Sequence, residues 1–182
     1  LQKLTNGKGR IEEKTLDELS TLLVMGSAKI PTLSEVLLEI NGAVAVNVEL
    51  KGPNTAQGTI ALFDDFVSNG IFSPEQLYVS SFDWDELREF RALTKAYAIA
   101  VLTDKNPLDA VDIAYELDAD AINPNFKQLN ADIVHTLQAY GLKVIPYTVN
   151  DPQTIAALTA MGVNGIITDY PCLLYTSDAA DD

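Results

Sequence analysis

The stretch GAVAVNVELKGPN, residues 42–54, decides the fold. Its valines alternate with small and polar residues, and side chains two apart on a strand point to the same face. Glu49 and Lys51 therefore share one face, at the end of an apolar strand that stops at Gly52-Pro53. The stretch predicts a largely buried strand whose end presents a carboxylate and an ammonium on the same side.

Strand-like and helix-like patterns alternate along the rest of the chain. The predicted strands cover residues 43–50, 76–82, 96–102, 119–124, 142–149 and 164–169. The predicted helices cover residues 32–40, 83–93, 106–117, 129–141 and 151–162. Such alternation is typical of βαβ units and a parallel sheet, and strands rich in Val, Ile, Leu and Ala are typical of a sheet covered on both faces.

Two parallel architectures fit this order, a doubly wound sheet and a (β/α)8 barrel. No glycine-rich loop follows any predicted strand, which disfavours the doubly wound nucleotide-binding sheet. Polar residues close the strands instead, as at Thr103-Asp104 and Thr168-Asp169, and barrel enzymes carry their chemistry at the carboxyl ends of their strands. We therefore predict an α/β fold, a (β/α)8 TIM barrel that is incomplete here, with about six of its eight βα units present.

Composition and charge exclude several classes of protein. The 182 residues are 47% hydrophobic and 21% charged, as in one soluble globular domain, and a formal charge of -14 disfavours nucleic acid partners. One cysteine and one histidine exclude a disulfide framework and a Cys/His metal cluster, so a bound metal would be a hard cation held by oxygen. No apolar run approaches the roughly 20 residues of a membrane span. The compartment stays open, with the cytoplasm slightly favoured, and the sequence predicts no oligomeric state.

Five motifs follow one another along the chain. They are LTNGKGRIEEKTLDEL (4–19), NVELKGP (47–53), YVSSFD (78–83), GLKVIPYTVND (141–151) and GVNGIITDYP (162–171). In this order they resemble the glycerophosphodiester phosphodiesterase family, over residues from about 4 to 171. The resemblance implies a (β/α)8 barrel that hydrolyses a small-molecule glycerophosphodiester to glycerol 3-phosphate and an alcohol, with a divalent cation and two histidines.

The chain departs from this family at its amino-terminal side. The resemblance implies, ahead of the matched motifs, a strand that ends in His-Arg-Gly, a second strand with Glu-x-Asp, and a His-Asp element, and this amino-terminal part is missing from the 182 residues. We therefore expect an N-terminally truncated fragment with no catalytic residue of its own, inactive alone, whose histidine pair lies upstream of Leu1. Tyr147 also stands where the family usually has tryptophan.

The resemblance assigns Glu49 as a metal ligand, for Mg2+ or Ca2+, and Lys51 as the residue that meets the substrate phosphate. Three alternatives stay open. The two residues could form a plain ion pair that fills the barrel mouth. Lys51 could be the Schiff-base amine of a lyase or aldolase, although a neighbouring carboxylate opposes the neutral amine that this chemistry needs. The barrel could also bind a phosphate ligand without catalysis.

Five further residues are predicted to contact the substrate. Ser81 and Phe82 close the second predicted strand and, by resemblance, line the pocket, with Phe82 on the glycerol carbons or, alternatively, in the ordinary core. Asn123, Tyr147 and Asn150 end later strands, where they could supply hydrogen bonds or stacking. Asn150 could instead cap the helix that follows it.

Three remaining features receive no place in the site. His135 lies in the middle of a predicted outer helix and is predicted to be a surface or packing residue. Cys172 has no basic partner in the sequence and needs no role. Residues 172–182 break the preceding pattern and resemble a translated sequencing adapter, so we predict a domain of residues 1–171 and a non-native, adapter-derived tail.

Overall fold

Five parallel strands in chain order form the main sheet of the computed structural model, which describes residues 1–174. Together with a separate two-stranded hairpin, the strands within residues 1–174 are β1 (Leu23–Val24), β2 (Ala28–Lys29), β3 (Val46–Glu49), β4 (Leu77–Ser81), β5 (Ala98–Thr103), β6 (Ala121–Pro124) and β7 (Lys143–Val144). Strands β1 and β2 pair as a small antiparallel hairpin, and β3 to β7 pair with their sequence neighbours. The predicted parallel βαβ order is confirmed.

A helix follows each of these five parallel strands. The α-helices are α1 (Leu16–Ser20), α2 (Leu33–Ile40), α3 (Ala56–Ser68), α4 (Trp84–Leu93), α5 (Val111–Glu116), α6 (Ala131–Ala139) and α7 (Pro152–Ala160). The predicted capping box at the start of α2 is present, with Thr32 and Glu35 bonded reciprocally. Gly141 and Gly162 end α6 and α7 with φ of +80° and +81°, the left-handed conformation that favours glycine.

Helix α3 is not among the helices predicted above. Its first turn contains Gly58, which weakens a helical pattern, and Thr55 at its start makes no side-chain cap. The start of the helix therefore lacks a local side-chain cap, although Gly70, just after its end and with φ of +71°, is a usual stop signal.

The main core lies between one face of the sheet and the helices. It contains buried strand residues and buried helix residues, among them Val79, Ile99, Val101, Ile122, Phe63, Leu87, Phe90 and Leu137. Burying each such side chain contributes roughly 1.5–3 kcal/mol. By the alternation along a strand, Glu49, Ser80 and Asn123 point to the opposite face, the interior of the barrel.

The sixth predicted strand, residues 164–169, is wrong as a strand. Asn164 N and Ile167 N donate to Val144 O and Pro146 O, both at 2.9 Å. The segment therefore does lie beside the end of β7 and the residues that follow it. Val149 N also donates to Ile167 O, at 2.9 Å. In a regular parallel ladder the successive donors of one strand are two residues apart. The donors Asn164 and Ile167 are three residues apart, whereas their acceptors Val144 and Pro146 are two apart, which is a bulge. Pro146 also has no N–H to donate to this segment. Strand β7 is much shorter than the predicted strand 142–149.

The sheet is open within residues 1–174, because β3 and β7 pair with β4 and β6 but not with each other. At the other end of the described chain, Leu173 and Leu174 pack against a small cluster of Val149, Ile155 and Leu158. The predicted tail therefore begins with residues that contact the domain, and its remainder, 175–182, lies outside the described residues. No helix within residues 1–174 has the length and apolar character to span a bilayer.

Candidate active site

Glu49 and Lys51 form an ion pair at the carboxyl end of β3. Lys51 Nζ lies 3.1 Å from Glu49 Oε2, and the two side chains are 74% and 32% exposed. Leu50, between them, is buried on the core face, so the alternation predicted from the sequence is what brings the two charges together. An exposed ion pair contributes about 0–1 kcal/mol to stability. Stability alone therefore gives little reason for placing these charges at the mouth.

The pair lines a cleft of about 350 Å³ at the carboxyl ends of β3 and β4. The other residues around it are Leu50, Ser81, Phe82 and Asp83. A larger cleft of about 600 Å³ lies at the opposite ends of the strands, between residues that include Arg91, Lys95, Asp118 and Asp120. In barrel enzymes the carboxyl face carries the chemistry and the amino face serves stability. The smaller cleft is therefore the candidate active site.

Ser81 holds the chain after β3 against β4. It is fully buried, its Oγ donates to Leu50 O at 2.6 Å, and the same Oγ accepts from Asp83 N at 2.9 Å. Alternation places it on the core face with Leu77 and Val79, away from the barrel interior. The structure therefore gives Ser81 a scaffold contact, and its substrate contact stays a prediction.

Ser80, which the sequence analysis does not assign to the site, shares the interior face with Glu49. It lies directly opposite Glu49 in the register of β3 and β4 and is 1% exposed. Its Oγ and the Oδ1 of Asn123 have no hydrogen-bond partner among residues 1–174. An unpaired buried polar atom costs about 1–3 kcal/mol. Ser80 Oγ is therefore placed to donate to or accept from a bound molecule, and Asn123 Oδ1 to accept from one. The sequence signal for Ser80 is that it follows Val79, which faces the core, so that alternation turns Ser80 to the opposite face.

Phe82 and Tyr147 form an aromatic wall beside the pair. Their ring centroids are 5.5 Å apart at 89°, an edge-to-face contact, and Tyr147 Oη donates to Thr103 O at 3.0 Å. Phe82 is 48% exposed, so the alternative that places it in the ordinary core is wrong. Burial raises the pKa of Tyr147, and the carboxylates of Asp104 and Glu49 raise that pKa further. Glu49 and Tyr147 thus lie within electrostatic reach of each other, and Tyr147 stays a neutral hydrogen-bonding phenol.

Asn150 ties the chain after β7 to the segment beside it. Its Nδ2 donates to Asp169 Oδ2 at 2.7 Å, and its Oδ1 accepts from Asp169 N and Thr168 Oγ1. The alternative that Asn150 caps α7 is wrong, because the cap is Asp151, which accepts from Thr154 N at 2.8 Å. Asn150 therefore supports the loop at this end of the sheet, and its substrate contact stays a prediction.

Carboxylate oxygen of the kind Glu49 offers is the ligand that Mg2+ and Ca2+ take in proteins. Within residues 1–174 no group of three or more His, Cys, Asp or Glu side chains is placed to hold a metal ion. Glu49 thus fits as one ligand of a hard cation. The single histidine, His135, is exposed on α6, where the sequence predicts it, and Cys172 is an exposed free thiol.

An open parallel sheet with helices on its outer face, and a polar pair at the carboxyl ends, is the arrangement expected of part of a (β/α)8 barrel. The model of the glycerophosphoryl diester phosphodiesterase family matches residues 1–173. The chain belongs to this family, which hydrolyses glycerophosphodiesters.

Similar proteins of known name agree with this membership. YhdW of Bacillus subtilis (strain 168) is 31% identical over 181 residues, covering 94% of this chain and 74% of that protein. The glycerophosphodiester phosphodiesterase of the same strain is 29% identical over 200 residues, covering 96% and 68%. A solved structure of an Oleispira antarctica phosphodiesterase, in complex with the product sn-glycerol-3-phosphate, superposes with a TM-score of 0.87 at 24% identity, covering 99% of this chain and 76% of that one. This likeness confirms the predicted barrel fold.

Proposed function

We propose that this protein, as its full gene product, carries out metal-dependent hydrolysis of glycerophosphodiesters to glycerol 3-phosphate and an alcohol. The observation that supports this most is the Glu49–Lys51 pair, which faces a cleft at the carboxyl ends of β3 and β4 in a chain of this family. Metal and phosphate must lie together in such a reaction, and this pair offers one ligand to each.

Glu49 would hold the cation, Mg2+ or Ca2+, through its carboxylate. A cation bound there supplies Lewis acidity to a phosphate oxygen. Lys51 would lie against the phosphate as a point charge. Because its side chain is 74% exposed, its ammonium can leave Glu49 for a ligand at little cost. The Schiff-base alternative is disfavoured, because the Lys51 side chain is 74% exposed and the Glu49 carboxylate, 3.1 Å away, stabilises the charged amine.

The aromatic wall would bind the organic part of the substrate. We propose that Phe82 packs on the glycerol carbons, with Tyr147 holding its ring edge-to-face. Asn123 would accept a hydrogen bond from a substrate hydroxyl, since its side-chain carbonyl is buried without a partner among the described residues. Ser81 and Asn150 would shape the same pocket through the loops that they tie down.

Acid and base catalysis would come from residues outside positions 1–182. The only histidine of the chain is exposed on α6, an outer helix, and proton transfer by a positioned side chain is worth about 10²- to 10⁴-fold. We therefore propose that the catalytic histidine pair is encoded upstream of Leu1, and that the 182-residue chain alone does not hydrolyse the substrate.

Reading the source DNA upstream of Leu1 and assaying both proteins tests this proposal. We expect His-Arg-Gly and Glu-x-Asp upstream, release of glycerol 3-phosphate from glycerophosphocholine by the full gene product, loss of release in EDTA, and none by the 182-residue chain. Release by the 182-residue chain would overturn the assignment of the histidines. Borohydride trapping of a substrate on Lys51 would overturn the hydrolase in favour of a Schiff-base enzyme.

A further inference from the structure

Lys51 stands at the start of a loop, residues 50–55, that joins β3 to α3. Its side chain is 74% exposed and contacts Glu49 as its ion-pair partner, so the position of its ammonium depends on the backbone of this loop. The first end of the loop is fixed by Leu50, whose N donates to Ser80 O at 2.8 Å and whose O accepts from Ser81 Oγ at 2.6 Å.

Glu86, which comes from α4, fixes the other end of the loop. Its Oε1 accepts from Thr55 N at 2.6 Å and from Ala56 N at 2.7 Å, and its Oε2 accepts from Asn54 N at 3.1 Å. The Thr55 hydroxyl lies 2.9 Å from the same Oε1 and 3.0 Å from Gly52 O, and can donate to one of them at a time. Each oxygen of the carboxylate therefore binds donors of the loop.

This contact takes the place of the side-chain cap that Thr55, at the start of α3, does not make. The first N–H groups of a helix have no partner within the helix, and the positive end of its dipole favours an anion. Thr55 makes no side-chain cap of its own, and Glu86 is 6% exposed with no ion-pair partner among residues 1–174. A carboxylate in such a place is retained because charge-assisted bonds to N–H groups stabilise it.

We propose that Glu86 is a positioning residue for Lys51, which holds the β3–α3 loop so that the lysine ammonium meets the phosphate in the transition state. The inference rests on the proposed function. Lys51 lies between two fixed points, and Asn54 is held with φ of +59°, a conformation that is unfavourable without support. Misplacement of a reacting group by about 1 Å can cost 10²-fold in rate, so loss of the second fixed point acts on turnover.

Glutamine at position 86 is the sharpest substitution. It keeps the size of the side chain but replaces one oxygen with an amide NH2. Both carboxylate oxygens of Glu86 accept from N–H groups, so an NH2 in either place faces a donor with another donor. Glu89→Gln is the matched control, since Glu89 lies on the same helix, is exposed and loses the same charge.

The test is a double-mutant cycle on the full gene product, with glycerophosphocholine as substrate and a saturating divalent cation. We expect Glu86→Gln to lower kcat by about 10-fold or more with KM changed less than about twofold, and Glu89→Gln to leave both unchanged. In the Lys51→Met background, Glu86→Gln should lower kcat by less than about twofold, because the group it positions is gone. A residue with only a structural role would lower kcat equally in both backgrounds.

Thr55→Val, which removes only the hydroxyl contact, keeps the test decisive if Glu86→Gln does not fold. It should give a smaller loss of kcat that also disappears in the Lys51→Met background. Equal losses in the two backgrounds, or an unchanged kcat in Glu86→Gln, would overturn the positioning role while leaving the proposed function intact. A wild-type gene product that releases no glycerol 3-phosphate would instead overturn the proposed function, and this inference with it.

Discussion

At the scale of single residues, the site depends on two charges that the strand alternation places side by side. Glu49 and Lys51 are 3.1 Å apart and open to water, an arrangement worth about 0–1 kcal/mol when it is only an ion pair. Each charge is therefore available to a ligand. The pairing could be predicted from the sequence because two residues of separation on a strand fix the face.

Cation binding should separate the roles of the two residues in the full gene product. Glu49→Gln keeps the volume but removes the charge that holds a hard cation, so we expect the affinity for Mg2+ or Ca2+ to fall by about tenfold or more. Lys51→Met should bind the cation at least as tightly as the wild type, because a competing positive charge is gone. Isothermal titration calorimetry measures both.

The exposed Glu39 on α2 offers the control for charge. Glu39→Gln should leave cation affinity unchanged. Unchanged affinity in Glu49→Gln as well would remove Glu49 from the metal site.

At the scale of secondary-structure elements, local signals predict an element where they agree with its packing. The capping box of α2 and the glycines after α6 and α7 are sequence signals that the structure confirms. Helix α3 is followed by such a glycine, Gly70, but its start has no local side-chain cap, because Glu86, 30 residues further along the chain, binds its first N–H groups. The strand predicted at 164–169 is not formed for a similar reason, since Pro146, in the stretch of chain beside it, has no N–H to donate and cannot continue a regular ladder. Sequence patterns are local, whereas these two outcomes depend on another element.

Tyr97 links α3, α4 and β5, and its ionisation should couple to stability. Its ring is buried at 3% exposure, lies 5.0 Å from the ring of Phe63, and its hydroxyl donates to Asp64 Oδ1 at 2.7 Å. Burial raises the pKa of Tyr97 first, and the hydrogen bond to Asp64 and the charge of that carboxylate raise it further. Because the folded pKa lies above the unfolded value of about 10, this contribution is complete below pH 10 and is lost as pH rises beyond it.

We therefore expect the free energy of unfolding of the full gene product to fall from about pH 9 to about pH 11, around the reference pKa of tyrosine. The fall should be smaller in Tyr97→Phe. At pH 8 the same variant should lose about 0.5–1.5 kcal/mol for the missing hydrogen bond. Urea unfolding at about pH 8, 9 and 11 measures both effects. Tyr170→Phe, at a 59% exposed position, should follow the wild type, and an equal alkaline loss in Tyr97→Phe would contradict the coupling.

At the scale of the whole molecule, the described sheet is an open part of a barrel. Strand β3 has β4 on one side and no strand on the other within residues 1–174, and the interior face of the sheet carries the two unpartnered polar atoms of Ser80 and Asn123. An unpaired strand edge invites association, and closure of a barrel removes such edges. The barrel class could be predicted from the sequence because polar residues close the strands of a βαβ order and no glycine-rich loop follows a strand. The number of paired strands depends on hydrogen bonds that no local pattern contains.

The 182-residue chain, purified alone, should therefore associate. We expect light scattering after size exclusion to give a mass above that of a 19.8 kDa monomer, rising with concentration, because β3 offers its free edge to another copy. Asn47→Lys, at the exposed position of this edge strand, should reduce the association, whereas Leu93→Lys, at an exposed position on α4, should not. A monomer that melts cooperatively and reversibly would contradict the open edge.

The central claim is that Glu49 and Lys51 act together on one phosphodiester, and the rate of glycerol 3-phosphate release tests it most directly. The four proteins to compare are the full gene product, Glu49→Gln, Lys51→Met and the double variant, each with glycerophosphocholine and a divalent cation. We expect each single variant to lose about 10²- to 10³-fold in kcat, and the double variant to lose much less than the product of the two losses, because both residues serve one phosphate. Rates near the wild type in both single variants would contradict the claim and leave only an ion pair at the barrel mouth.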